Sequence, residues 1–155
     1  MFGKTIAHVS TVEWQKRGLP HLHCLLWLDE PSKPRPKDYD NFVKAEIPDK
    51  NHDPALHKLV MTHMIHGPFC NRSFQCHSND DRQCKFKFPK AFCPATLSGD
   101  RAYPVYRRRS PEMGGFTGQK DDGTEVSNAW VVPYNRDLLK LFECHINVEI
   151  CSSIQ

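Results

Sequence analysis

The sequence predicts an α+β domain in which a central antiparallel sheet carries a His-x-His hairpin and is flanked by helices. Three observations favour this class. Two alternating, apolar segments near the N-terminus are separated by a turn, later segments with helical spacing follow N-capping residues, and a cysteine-rich stretch is inserted between them. A chain of 155 residues has the length of one domain and can form a modest core.

The first predicted element is a hairpin over residues 1–28. Residues 5–15 alternate between two faces, the next five contain Gly18 and Pro20, and an apolar run follows. This order predicts two antiparallel strands joined by a turn. Because strand side chains alternate, His21 and His23 share one face. The opposite face carries side chains that we expect to be covered, namely those of Leu22, Cys24, Leu26 and Leu28.

The hairpin also predicts a metal site. Folding about Gly18 places Glu13 roughly opposite His23, so two imidazoles and one carboxylate face a single cation. This donor set suits Mn²⁺ and, less well, Mg²⁺. Gln15 is an alternative ligand on the same strand, and Glu149 is another if its strand lies beside the hairpin. The structural alternative is a solvent-facing pair of histidines on a half-buried sheet.

Residues 29–37 form a predicted surface linker, because three prolines remove backbone donors and fix φ. A helix is predicted from its N-cap, Asp53, to His66, with Gly and Pro directly after it. One side of this helix is apolar at helical spacing, which is typical of core packing. We therefore interpret His57 and His63 on the same helix as structural or solvated.

A cysteine-rich excursion covers residues 66–93. Three thiolates and one imidazole are a common ligand set for structural zinc, which would shape a polar loop that has no core of its own. The set that we select is His66, Cys70, Cys76 and Cys84. The spacing is irregular and lacks a Cys-x₂-Cys pair, so a loop with buried or free thiols is the alternative.

The placement of basic residues suggests contacts with nucleic acid. A net charge of +3 is too small to identify a partner by itself. Lys85 and Lys87 alternate with phenylalanines, which suits backbone contact and base stacking on a single strand, although a half-buried strand with a solvated lysine face fits equally well. The other predicted phosphate contacts are Lys16 and Arg17 in the hairpin turn and the run Arg107, Arg108 and Arg109.

The C-terminal part, residues 129–155, predicts a strand, a helix and a strand. It follows a flexible loop or hairpin tip over 110–127. The predicted elements are a strand over 129–132, a helix from its N-cap Asn135 to about Phe142, and a strand over 146–150.

Composition excludes several classes of protein. The longest apolar run has the length of a strand, and no N-terminal segment has the pattern of a signal peptide. Seven cysteines, an odd number, favour reduced thiols or metal ligands over a secreted disulfide framework. We expect an intracellular protein without a membrane partner.

An ordered series of motifs resembles one known family. The hairpin stretch Glu13-x-Gln15-Lys16-Arg17-Gly18-Leu19-Pro20-His21-x-His23 is similar to the His-hydrophobic-His motif of Helitron transposases, which belong to the HUH endonucleases of rolling-circle replication. Further similar stretches are Ala45-Glu46-Ile47-Pro48-Asp49, Met64-Ile65-His66-Gly67-Pro68, Phe88-Pro89-Lys90, Tyr103-Pro104-Val105-Tyr106-Arg107-Arg108-Arg109, Val131-Val132-Pro133-Tyr134-Asn135 and His145-Ile146-Asn147-Val148-Glu149-Ile150-Cys151.

The resemblance implies an HUH endonuclease-like fold. It also implies an enzyme that nicks single-stranded DNA and transfers the cut strand, with Mg²⁺ or Mn²⁺ as the cofactor. It also implies a helicase domain in the same polypeptide and a nuclear location, because the family acts in DNA recombination. In the family a tyrosine on a helix downstream of the last strand attacks the phosphate. That helix is expected beyond Gln155, and we assign the role to none of Tyr39, Tyr103, Tyr106 and Tyr134.

We therefore expect a fragment, truncated at both ends, that binds DNA and metal but is inactive alone. The alternative function is a non-enzymatic, zinc-stabilised nucleic-acid-binding module. In that module the cysteine cluster and the arginine run matter, and His21 and His23 are incidental.

Overall fold

The structure is a computed structural model that describes residues 2–15, 18–67, 84–98 and 103–151. The chain forms two units, Met1–Arg35 and Pro36–Gln155, and each is described by itself. Helices and strands are mixed, as the α+β prediction requires. In the described residues, however, the strands form two separate two-stranded antiparallel sheets in place of the single central sheet that we predicted.

The first unit is built on a long antiparallel hairpin. Strand β1 covers Thr5–Trp14 and strand β2 covers Pro20–Leu28. The backbone N–H of Gln15 donates to the Leu19 carbonyl at 2.9 Å, and that of Gly18 donates to the Gln15 carbonyl at 2.8 Å. Gly18 has a φ of +75°, a left-handed conformation that glycine adopts without a steric penalty.

These turn hydrogen bonds correct the predicted register. The ladder closes between Gln15 and Leu19, so Glu13 pairs with His21, and Thr11 pairs with His23. The sequence prediction folds the chain about Gly18 itself and therefore places Glu13 opposite His23. Pairing residues still share a face, so Glu13 and both histidines lie on the same side of the hairpin.

The second face of the hairpin also differs from the prediction. Leu22 is 60% exposed and Leu26 is 44% exposed, although we expected both to be covered. Every residue of β1 is exposed as well. The base of the hairpin is closed by hydrogen bonds from Asp29 N–H to the Lys4 carbonyl and from Lys4 N–H to the Ser32 hydroxyl oxygen.

The proline-rich linker contains short 3₁₀ turns and no longer regular element. They cover Glu30–Ser32 and Pro36–Asp38. Pro31 is the second residue of the first turn, and the Asp29 side chain accepts a hydrogen bond from the Ser32 N–H.

In the second unit, two predicted helices are present with their predicted caps. Helix α1 covers Tyr39–Phe42, α2 covers Pro54–His63 and α3 covers Arg136–Phe142. The Asp53 carboxylate accepts from Leu56 N–H at the start of α2, and the Asn135 side chain accepts from two N–H groups of α3. Helix α2 ends three residues before the predicted end at His66, because the chain then forms an isolated bridge between Ile65 and Val131.

The core of the second unit lies between α2, α3 and the segment that precedes α3. It is made of aliphatic side chains and one tyrosine, namely Ile47, Leu56, Val60, Met64, Val126, Val131, Val132, Tyr134 and Leu139. A smaller cluster contains Val43, Ala45 and Tyr106. Strands β3, Gly118–Gln119, and β4, Glu125–Val126, form the hairpin tip predicted within residues 110–127.

Two strand predictions were wrong. Over 129–132 the chain forms a 3₁₀ turn, Asn128–Trp130, and then one isolated bridge at Val131, so it does not form a ladder. Residues 146–150 form no strand, and two of their N–H groups donate to partners outside any ladder. Val148 donates to the Pro133 carbonyl, and Ile150 donates to the Tyr106 hydroxyl. Among the described residues, no helix is both long and apolar enough to cross a bilayer.

Candidate metal centre

The hairpin brings three potential metal ligands together at its turn end. Glu13 lies on β1, and His21 and His23 lie on β2, all on one face. One ligand atom from each lies within 4.8 Å of the other two. The Glu13 Oε2 and His23 Nε2 atoms are 3.4 Å apart, and the two imidazole centroids are 4.4 Å apart. Within the described part of the chain, no other three His, Cys, Asp or Glu side chains bring their ligand atoms this close together.

The distance between the Glu13 and His23 ligand atoms fits a chelated divalent cation. Ligand bonds of about 2.1 Å put two ligand atoms about 3.0 Å apart at a right angle and about 3.4 Å apart at the tetrahedral angle. The Glu13–His23 separation of 3.4 Å is at the upper end of this range. The side chains of His23 and Glu13 are 55% and 64% exposed, so coordination positions on the outer side of an ion stay accessible to a ligand.

The alternative ligands are placed differently. Gln15 directly follows β1 and its backbone closes the turn. Its side chain offers a neutral amide oxygen, which attracts a cation less than the Glu13 carboxylate does. Glu149 belongs to the second unit, where it is near the Tyr106 hydroxyl and the Arg108 and Lys90 charges. Both remain predicted alternatives.

A second pair of potential ligands lies in the other unit. The Cys84 Sγ is 3.3 Å from the His66 Nε2, although the two residues are 18 positions apart in sequence. Cys84 is 8% exposed, and the His66 imidazole is stacked on the Phe88 ring with centroids 4.3 Å apart. Burial, together with the nearby His145 and Lys90 charges, lowers the pKa of His66. Cys70 and Cys76, the other predicted zinc ligands, lie outside the described residues.

The arginine run has a different arrangement from the predicted phosphate contacts. Arg108 is 5% exposed, and its guanidinium donates to the carbonyls of Val131 at 2.6 Å and Asn128 at 2.7 Å. Burial lowers its pKa to about 10, and the Glu149 and Glu46 charges oppose that shift. Arg108 therefore bonds to backbone carbonyls inside the second unit, and its role as a DNA contact stays a prediction.

Sequence reasoning missed the acid that organises the other two arginines. Glu46 is 9% exposed, and its carboxylate accepts from Arg107 Nε at 3.2 Å and from Arg109 Nε and Nη2 at 2.8 Å. Burial opposes ionisation of Glu46, but the hydrogen bonds from Arg109 and the Arg107 charge lower its pKa overall. The available signal was an acid between apolar residues in Ala45-Glu46-Ile47.

The remaining predicted nucleic-acid contacts are partly described. Lys85 and Lys87 are exposed, as are the rings of Phe86 and Phe92 at 53% and 45%. The Lys85 Nζ lies 5.0 Å from the Phe86 ring centroid, a cation–π distance. This segment therefore presents positive charge and aromatic surface together. Lys16 and Arg17 lie outside the described residues.

The tyrosines differ in their suitability as nucleophiles. Tyr39, Tyr106 and Tyr134 are buried, with exposures of 5%, 5% and 0%. Burial raises the pKa of Tyr106 and Tyr134, which disfavours the phenolate that would attack a phosphate. Tyr103, by contrast, is 53% exposed.

Comparison with known proteins links the hairpin to one family. Residues 1–26 match the model of the Helitron helicase-like domain at N-terminus. The match spans 26 of the 155 residues and includes Glu13, His21 and His23. The match therefore supports, for the hairpin segment, a similarity to Helitron proteins. No curated protein matches the chain.

Proposed function

We propose that the hairpin binds a divalent cation and single-stranded DNA as part of the nicking and strand-transfer activity of a Helitron-type HUH endonuclease. The observation that carries this proposal is the group of three ligand atoms, within 4.8 Å of one another, on one face of a segment that matches the Helitron model. The proposed cation is Mn²⁺ or Mg²⁺.

The chemistry follows from the donor set. When bound, such an ion supplies Lewis-acid stabilisation of charge on a phosphodiester oxygen. Glu13 neutralises part of the ion's charge, and His21 and His23 fix its position relative to the strands. Their exposed edge leaves room for phosphate oxygens, which is the arrangement expected of a catalytic rather than a closed structural site.

Metal binding can be tested with a matched control inside the same hairpin. His8 also lies on β1 and is exposed, but it belongs to the opposite face from Glu13. We expect the double substitution His21→Ala and His23→Ala to weaken Mn²⁺ binding at least about tenfold, since both imidazole ligands are removed. His8→Ala should leave it unchanged. The readout is the electron paramagnetic resonance signal of free Mn²⁺ during a titration. Unchanged affinity in the double variant would contradict the proposal.

DNA binding is tested separately by fluorescence anisotropy of a labelled single strand. We expect Mn²⁺ to increase affinity for wild type and for His8→Ala, but not for the double variant. A labelled strand incubated with Mn²⁺ also tests the expectation that none of the four tyrosines is the nucleophile. An adduct that survives denaturation would show that expectation to be wrong.

In this proposal the partners are single-stranded DNA and a helicase domain carried by the same polypeptide in the family. The site of action is the nucleus, where transposition of such elements takes place. The resemblance of the sequence motifs to Helitron transposases is the support for both.

A second candidate is a non-enzymatic nucleic-acid-binding module stabilised by zinc. It is favoured by the exposed lysines and phenylalanines of residues 85–92, a surface suited to phosphate contact and base stacking. Lys85→Ala with Lys87→Ala should then weaken DNA binding and reduce its salt dependence, whether or not Mn²⁺ is present. In the first candidate the larger effect comes from His21 and His23, so the two sets of variants separate the functions.

A further inference from the structure

We propose that His66 and Cys84 are two ligands of a structural zinc ion in the second unit. The inference is independent of the Mn²⁺ or Mg²⁺ site, because both residues belong to the second unit and neither takes part in the hairpin. The sequence predicts Cys70 and Cys76, which lie outside the described residues, as the other two ligands.

The separation of the two ligand atoms matches tetrahedral zinc. A Zn–S bond of about 2.3 Å and a Zn–N bond of about 2.05 Å at the tetrahedral angle place sulfur and nitrogen about 3.6 Å apart. The Cys84 Sγ to His66 Nε2 distance is 3.3 Å, which corresponds to a bond angle of about 100° at the metal. A zinc ion therefore fits with a movement of a few tenths of an ångström.

The surroundings hold both ligands in place. The His66 ring is stacked on Phe88 and meets Phe86 edge-on, with centroids 5.6 Å apart in the second case. The His66 N–H donates to the Trp130 carbonyl at 2.8 Å, which attaches the backbone to the core segment. At Cys84, the carbonyl accepts from the Lys87 N–H at 2.7 Å. Fixed ligand orientation of this kind strengthens metal binding.

The burial of Cys84 is consistent with a closed, structural site. Its 8% exposure contrasts with the exposed ligands of the hairpin. A closed zinc site supplies folding energy to a segment that has few apolar side chains. The residues between His66 and Cys84 are mostly polar, and the two proposed ligands stand at the two ends of that segment.

Cys93 provides a matched control for Cys84. It is also 8% exposed, but its thiol donates to the Ala95 backbone carbonyl at 2.9 Å, whereas the Cys84 thiol lies against an imidazole. Metal content is measured on the purified full chain after dialysis against a weak chelator. We expect about one zinc per chain in wild type and in Cys93→Ser, and loss of most of it in Cys84→Ser and His66→Gln. The variant with both His21→Ala and His23→Ala should keep its zinc, so the outcome does not depend on the hairpin function.

Thiol protection provides a test that needs no substitution. Wild-type protein is treated with iodoacetamide and each cysteine is assigned by mass spectrometry. We expect Cys24, which is exposed, to react at once, Cys84 to react only after a strong chelator is added, and Cys93 to be unaffected by the chelator. Replacement of zinc by Co²⁺ should give a thiolate charge-transfer band that disappears in Cys84→Ser.

Three results would overturn the inference. They are wild-type protein without zinc, full zinc content in Cys84→Ser, and a rate of Cys84 alkylation that does not change with the chelator. Any of them would mean that His66 and Cys84 form a hydrogen bond and do not bind zinc.

Discussion

Replacement of Arg108 by Met is expected to destabilise the second unit strongly. The guanidinium makes two short hydrogen bonds, at 2.6 and 2.7 Å, to the carbonyls of Val131 and Asn128. A hydrogen bond from a charged donor contributes about 1.5–3 kcal/mol, and carbonyls left without that donor in a buried site add a desolvation cost. Methionine replaces most of the aliphatic volume but donates nothing. We expect a loss of about 3–5 kcal/mol in the free energy of unfolding.

The assay is urea denaturation followed by tryptophan fluorescence. Of the three tryptophans, Trp14 and Trp27 lie in the hairpin, so replacing both with Phe leaves Trp130 as the reporter of the second unit. With a urea m-value of about 1.5–2 kcal/mol per M, the expected loss shifts the midpoint by about 2 M. Arg107→Met is the control, because Arg107 is the adjacent arginine but its side chain is 32% exposed. Its ion pairs should contribute about 1 kcal/mol or less.

The same variants decide between a structural and a DNA-binding role. If Arg108→Met is no more destabilised than Arg107→Met, the buried hydrogen bonds do not carry the stability assigned to them. If it folds normally but loses DNA affinity with a reduced salt dependence, Arg108 contacts phosphate as the sequence first predicted.

Three further predictions concern stability. Asp53→Ala removes the N-cap of α2 and the partner of Lys140, and should cost about 1–2 kcal/mol in urea denaturation; a loss below the error of the assay would contradict the capping role. The pKa of Glu46 is lowered from 4.5 in the folded state, so its contribution is complete above pH 4.5 and is lost as pH falls further; Glu46→Gln should flatten this part of the stability–pH curve. Gly115→Ala places a methyl group against the Arg109 carbonyl and should cost about 1–3 kcal/mol, and unchanged stability would mean that this segment moves freely.

Local signals predicted the helices of the second unit well. Asp53 and Asn135 cap the helices in the way that their side chains suggested, since each cap depends on residues two or three positions away. The β1–β2 register was harder to predict, because it depends on which backbone groups of the turn form hydrogen bonds. The shared face of Glu13, His21 and His23 was predictable, since it depends on the period of a strand alone.

The arginine run shows what a charge pattern leaves undetermined. Residues 106–110 alternate between buried and partly exposed, so Arg108 points inward with Tyr106 and Ser110, while Arg107 and Arg109 point outward. Three arginines in succession do not indicate which of them is buried, because that depends on backbone carbonyls far away in sequence. The His66–Cys84 contact also joins distant positions, and the sequence could indicate the ligand types but not their separation.

The exposed hairpin affects how metal and DNA binding should be measured on the purified chain. Strands β1 and β2 carry no lysine or arginine, and their single proline is the first residue of β2. Natural edge strands usually contain such residues, which hinder pairing with another polypeptide. Without them, purified chains have a template for self-association through backbone hydrogen bonds. Preparations should therefore be fractionated by size before use, and metal per polypeptide should be determined on the monomer peak.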